Sequence, residues 1–110
     1  MAVITIGVDD DGREVRATAN DSIVLRLPEN PTTGVRWDLD RLEGPAQLVG
    51  DAYEQQTGGG MGAAAVRVLT LQPRGPGQIR LQLKRWQEWE GASSIDATYS
   101  CTVRVERGGN

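Results

Sequence analysis

Apolar and polar residues alternate with a period of two along most of this chain. That period is the mark of strands with one buried face. The first run spans Val3 to Val8. Residues 14–19 follow, with Val15, Ala17 and Ala19 on one face, then residues 22–27, with Ile23, Leu25 and Leu27 on one face. Val35, Trp37 and Leu39 continue the pattern over 35–39. The alternation weakens from Asp40 to Gly50 and predicts one short strand over 47–56. Residues 63–71 predict a strand with Ala64, Val66 and Val68 as one face. Residues 78–86 alternate through Ile79, Leu81 and Leu83, and 95–106 form the last strand. Turn-forming residues separate these runs at 9–12, 20–21, 28–34, 57–62, 72–77 and 87–94. No stretch has helical apolar spacing. Seven or eight strands divided by turn signals every ~8–12 residues predict an all-β sandwich or barrel. One-faced strands bury that face only if two sheets pack against each other.

Composition narrows the function. The 110 residues predict a single domain over 1–110, long enough to bury a core without disulfides. Phe is absent, so the core is built from Val, Ile and Leu with three Trp and two Tyr. Net charge is −3, the pI is about 4.9, and the arginines are spread singly. A phosphate-tracking surface needs clustered cations, so nucleic acid is not expected as a partner. No run of about 18 apolar residues predicts a membrane span. The opening "MAVITIG" lacks the basic start and apolar core of a signal peptide. The expectation is a cytoplasmic protein, or a periplasmic or secreted one if a signal peptide has been removed. There is no histidine, which excludes Ser–His and Cys–His dyads. With one cysteine, the usual zinc ligand sets are excluded too. No catalytic residue, metal or cofactor is expected, and the chain reads as a non-enzyme. Cys101, in a strand pattern, predicts a buried structural thiol.

Four stretches invite a functional reading. "DDDG" at 9–12 sets three carboxylates side by side, whereas a calcium loop of the EF-hand type alternates its ligands; Asp11-Gly12 predicts a hairpin turn instead. "TGGGMG" at 57–62 leads into a strand rather than a helix, so it does not predict a phosphate cradle. It is either a loose connection or a loop whose backbone approaches another surface closely. "LKRWQEWEG" at 83–91 places Arg85, Trp86 and Trp89 near a loop tip, the residue types that anchor binding interfaces. Alternatively, one indole caps the end of the core. Glu88 and Glu90 read as solvated. "LPENPTTGVRW" at 27–37 makes a loop held rigid by its own chemistry. Pro31 fixes its φ and biases Asn30 toward extended backbone, Thr32 and Thr33 are stiff at χ1, and Gly34 admits a positive φ. Rigidity of this kind lowers the entropy lost on binding. The 28–34, 57–62 and 84–91 loops are alternate connections, which gather at one end of a Greek-key sandwich.

In order and spacing, these loops resemble those of the chagasin-like inhibitors of papain-type cysteine peptidases, and the resemblance runs from about Ala17 to Val105. The first motif, Asn30-Pro31-Thr32-Thr33-Gly34, is intact. The second, Gly59-Gly60-Met61-Gly62, has Met61 where the pattern has glycine. The third keeps Arg85 but lacks the following proline; Trp86 follows directly, and Trp89 offers an alternative register. The resemblance implies an immunoglobulin-like β-sandwich with Greek-key connections, acting as a monomer and a reversible, tight-binding inhibitor of cathepsin L-type enzymes. It implies that Thr32 approaches the catalytic cysteine while the glycine-rich loop and the Trp loop embrace the cleft. Two other readings stay open: a carbohydrate-binding or adhesion module using its tryptophans, and a degenerate family member with another partner.

Overall fold

The computed structural model describes residues 2–29, 35–55 and 65–107. Among the described residues eight strands form: β1 (Val3–Ile6), β2 (Glu14–Thr18), β3 (Ser22–Glu29), β4 (Arg36–Glu43), β5 (Ala46–Gln55), β6 (Ala65–Pro73), β7 (Gly77–Trp86) and β8 (Ala97–Glu106). Short 3-10 segments occupy Val8–Asp10 and Glu88–Ser94. One sheet has the order β1-β3-β6-β5 and the other β2-β8-β7-β4. The pairings are antiparallel except at two edges, where β1 runs parallel to β3 and β2 parallel to β8. The expected immunoglobulin-like sandwich is therefore the fold.

The alternating residues supply the core. Ile23, Leu25 and Leu27 of one sheet meet Ile79, Leu81, Leu83, Cys101 and Val103 of the other, all buried, with Trp37 at one end. Each fully buried aliphatic side chain contributes about 1.5–3 kcal/mol relative to exposure. Cys101 is a buried free thiol, as its strand position predicts, and burial raises its pKa.

Three expectations are corrected. Strand β3 runs on through Pro28 to Glu29, where the sequence predicts a loop. Strand β1 reaches along β3 only to Leu25, so Pro28 sits on a free edge where a missing N–H is tolerated. Strand β4 continues to Glu43 past a bulge between Leu39 and Arg41, which explains the fading alternation after Asp40. In β6 the buried face is Ala65, Arg67, Leu69 and Leu71, while Val66 and Val68 are only half-buried. The two leucines set the phase, and it carries an arginine inward.

The acidic stretch is a turn but not the expected hairpin, because β1 and β2 lie in different sheets and the connection between them passes through a 3-10 turn at Val8–Asp10. Asp10 Oδ2 accepts the Gly7 N–H at 2.9 Å, Asp11 Oδ1 accepts the Ser100 N–H at 2.9 Å, and Gly12 takes a φ of 78°. Tyr99 Oη donates to the Gly7 carbonyl at 2.8 Å, which ties this turn to β8.

Candidate functional site

Strand register brings the three unusual connections to one end of the sandwich. In the first sheet Glu29 and Gln55 both pair with Ala65, so the 30–35 and 56–64 connections leave from the same row. In the second sheet Arg36 pairs with Trp86 and Arg85 with Ala97, so the 87–96 connection leaves from the matching row. The first connection joins β3 to β4 and so passes from one sheet to the other; the second stays within the first sheet and the third within the second. The stems thus set one connection between the sheets and one at the same end of each sheet. Asn30, Pro31, Thr32, Thr33 and Gly34 lie outside the described residues, as do Gly59, Gly60, Met61 and Gly62. Their stems are described, and so are Arg85, Trp86 and Trp89.

The central loop has firm stems. Trp37 is buried, and its indole Nε1 donates to the Pro28 carbonyl at 3.1 Å. The second residue of β4 is thus tied across the sheets to β3. Glu29 is also buried, and its Oε1 accepts the Trp37 N–H at 2.5 Å. Above the Trp37 ring lies the Arg85 guanidinium, 5.6 Å from the centroid, within cation–π range.

The third connection is folded rather than open. The sequence predicts a plain loop over 87–94, but Glu88–Ser94 forms 3-10 turns with a break at Gly91, φ 77°. Ser94 Oγ accepts the Gln87 N–H at 3.0 Å, and its single proton lies within reach of the Gly91 and Gln87 carbonyls, at 2.7 and 2.9 Å. Arg85 makes a two-pronged ion pair with Asp96 across the base of the loop, at 2.8 and 3.2 Å. The Arg85 guanidinium holds the Asp96 carboxyl below its ordinary range. Arg85 therefore braces the loop.

The two candidate tryptophans have different surroundings. Trp86 lies half-buried on the outer face of the second sheet. Its Nε1 donates to Asp38 Oδ2 at 2.7 Å, and the Lys84 ammonium sits 3.7 Å from its ring centroid. Trp89, on the 3-10 segment, is 69% exposed. A sugar-stacking platform built from both indoles would need an open face on each, and Lys84 covers a face of Trp86.

Sequence reasoning missed a charged group beneath the loops. Arg67, Glu29, Asp51 and Tyr53 come together on the inner side of the first sheet. Arg67 binds both oxygens of Asp51, at 2.6 and 2.9 Å, and reaches Tyr53 Oη at 3.3 Å. The Arg67 guanidinium depresses the Asp51 pKa, while burial, with Glu29 close by, raises that of Tyr53. A bulge between Leu48 and Gly50 shifts the phase of β5, so that Asp51 and Tyr53 face the same way as Leu48. The signal available in the sequence was Arg67 itself, which occupies the same alternation phase as Leu69 and Leu71.

Residues 16–103 match the family model described as Chagasin family peptidase inhibitor I42. No curated protein matches. Among solved structures, the cysteine protease inhibitor EhICP2 from Entamoeba histolytica superposes with a TM-score of 0.86 at 22% identity, covering 96% of this chain and 97% of that one. Amebosin, solved in solution, gives 0.76 at 19% identity, with 94% and 97% covered. PbICP-C, solved in complex with falcipain-2, gives 0.61 at 12% identity, with 94% and 89% covered. These likenesses establish a common fold.

Proposed function

The chain belongs to the chagasin family of peptidase inhibitors, and we propose that it blocks the active-site cleft of papain-like cysteine peptidases with the three connections at one end of its sandwich. In this reading the Asn30–Gly34 loop enters the cleft, with Thr32 nearest the catalytic cysteine. The Gly59–Gly62 loop lies along one wall and the segment carrying Trp89 along the other. Arg85 contributes by bracing that segment, and Trp86 by supporting it.

The observation that carries this reading is the convergence of stems. The loop with the intact Asn-Pro-Thr-Thr-Gly motif joins the two sheets, and each sheet supplies one flanking loop from the same row. A wedge with two flanks is the shape that fills a cleft and grips its rims. Occlusion needs no chemistry from the inhibitor, in keeping with a chain that has no histidine. Stems fixed by buried contacts limit the entropy lost on association, and an exposed indole beside a braced loop is a typical interface anchor. The structure of PbICP-C with falcipain-2 is a precedent for this fold meeting a peptidase.

The test is residue-specific. Thr32→Asp and Trp89→Ala should each raise the inhibition constant for papain at least ~10-fold, the loss of a hot-spot contact, with no change in melting temperature. If both variants inhibit as well as the parent, this assignment of the binding loops is wrong.

A further inference from the structure

Glu29 ends β3 and Trp37 is the second residue of β4, so they are the two stems of the 30–34 loop and lie in different sheets. Strand β4 is an edge strand. The backbone groups of Trp37 are held by side chains of the opposite sheet. Its N–H donates to Glu29 Oε1 at 2.5 Å, and its carbonyl accepts from Arg67 Nη1 at 3.0 Å. The same Arg67 nitrogen lies 3.5 Å from Glu29 Oε1, with the two side chains 5% and 0% exposed. Asp51 occupies the remaining face of the guanidinium through Nε and Nη2. Two charged side chains thus hold the backbone of one residue at the root of the loop, and a third, Asp51, holds Arg67 in place.

Such a group is a poor device for stability alone. Desolvating a buried ion pair offsets most of its attraction, and apolar residues of similar size often do as well. It is well suited to fixing geometry, because a planar guanidinium and a buried carboxylate accept few alternative arrangements. We propose that Glu29, Arg67 and Asp51 are positioning residues that set the spacing and register of the two loop stems, and so hold residues 30–34 in the shape that binds the peptidase. This rests on the inhibitory reading above. Without these residues the stems sample several registers, and apparent affinity falls with the fraction of molecules in the competent one.

The test separates positioning from stability. The double variant Glu29→Met/Arg67→Met replaces the buried pair by apolar side chains, and Asp51→Asn weakens the support of Arg67 while leaving the pair in place. Arg26→Gln, which breaks the exposed Arg26–Glu54 pair on the outer face of the same sheet, is the control. The double variant leaves the Trp37 N–H and carbonyl without these partners and should melt below the parent, yet at a temperature where it is fully folded it should still inhibit papain at least ~10-fold more weakly through a slower association rate. Its Trp37 amide should exchange with solvent faster. Asp51→Asn should show the same changes to a smaller degree, and Arg26→Gln none. A folded double variant with parental inhibition overturns the proposal. If the double variant does not fold, Asp51→Asn decides by the same criterion. Failure of the parent itself to inhibit papain would refute the inhibitory reading instead; the positioning role is then decided by Trp37 amide exchange, and unchanged exchange overturns it.

Discussion

The indole N–H of Trp86 donates to Asp38 Oδ2 over 2.7 Å, joining β7 to β4 on the outer face of the second sheet. With Lys84 stacked on the ring, Trp86 is part of the sheet, and Trp89 is the indole left facing solvent. Trp86→Phe keeps an aromatic side chain, smaller than the indole, and removes the donor. It should cost about 1.5–3 kcal/mol, a lost hydrogen bond to a charged group, and lower the melting temperature by roughly 6–12 °C. Inhibition should change less than about twofold, since a bracing residue lies outside the anchoring contacts. Calorimetry and an inhibition titration on the same variant separate the two roles.

Gly44 should not tolerate a side chain. It turns the chain from β4 to β5 at a φ of 102°, and a Cβ there would lie 2.2 Å from the Gln78 carbonyl oxygen. Gly44→Ala therefore combines backbone strain with a clash against a strand that cannot retreat. A loss on the order of 3 kcal/mol is expected, read as a lower urea midpoint with an unchanged slope.

Cys101 should behave as a reporter of global unfolding. It is 3% exposed, and burial, with Asp10 nearby, raises its thiol pKa. Both factors suppress the reactive thiolate. A thiol reagent at neutral pH should modify it only at the rate of unfolding, and addition of urea should accelerate the reaction in step with the loss of β-sheet signal.

Acid should weaken the fold from the carboxylate side. Asp21 is held below its ordinary pKa by the Thr18 and Ala2 amides, Asp51 by Arg67 and Asp96 by Arg85. A group whose pKa is depressed on folding stabilises the fold above its unfolded value, and that contribution disappears as pH falls through the folded value. Stability should therefore hold steady down to about pH 4, the ordinary carboxylate range, and fall below it. Asp51→Asn should flatten that acid limb, measured as melting temperature against pH.

The period-two alternation made the sandwich legible, because burying one face of each strand leaves few other arrangements. The end at which the loops gather followed from counting alternate connections; the strand order within each sheet did not. What escaped the sequence were places where polar chemistry overrides the pattern. Arg67 occupies a core phase because Asp51 and Glu29 neutralise it from the two neighbouring strands of its own sheet, and no local pattern announces partners that far apart in sequence. Pro28 and the bulge at Asp40 hid the ends of β3 and β4 for a similar reason, since tertiary pairing tolerated what local propensity would break, and the bulge at Val49 hid the phase of β5. Of the candidate site, the motifs were legible as residues, but the division of labour between Trp86 and Trp89 depended on Asp38 and Lys84, which reach Trp86 from a neighbouring strand and from its own.

The most direct measurement of the inhibitory account is the steady-state velocity of papain, and of a cathepsin L-type enzyme, titrated with the purified domain at several concentrations of a fluorogenic substrate. Occupation of the cleft predicts complete inhibition at a one-to-one ratio once the enzyme concentration exceeds the inhibition constant, with an apparent constant that rises in proportion to substrate. Full activity at micromolar domain, or inhibition indifferent to substrate concentration, would contradict it.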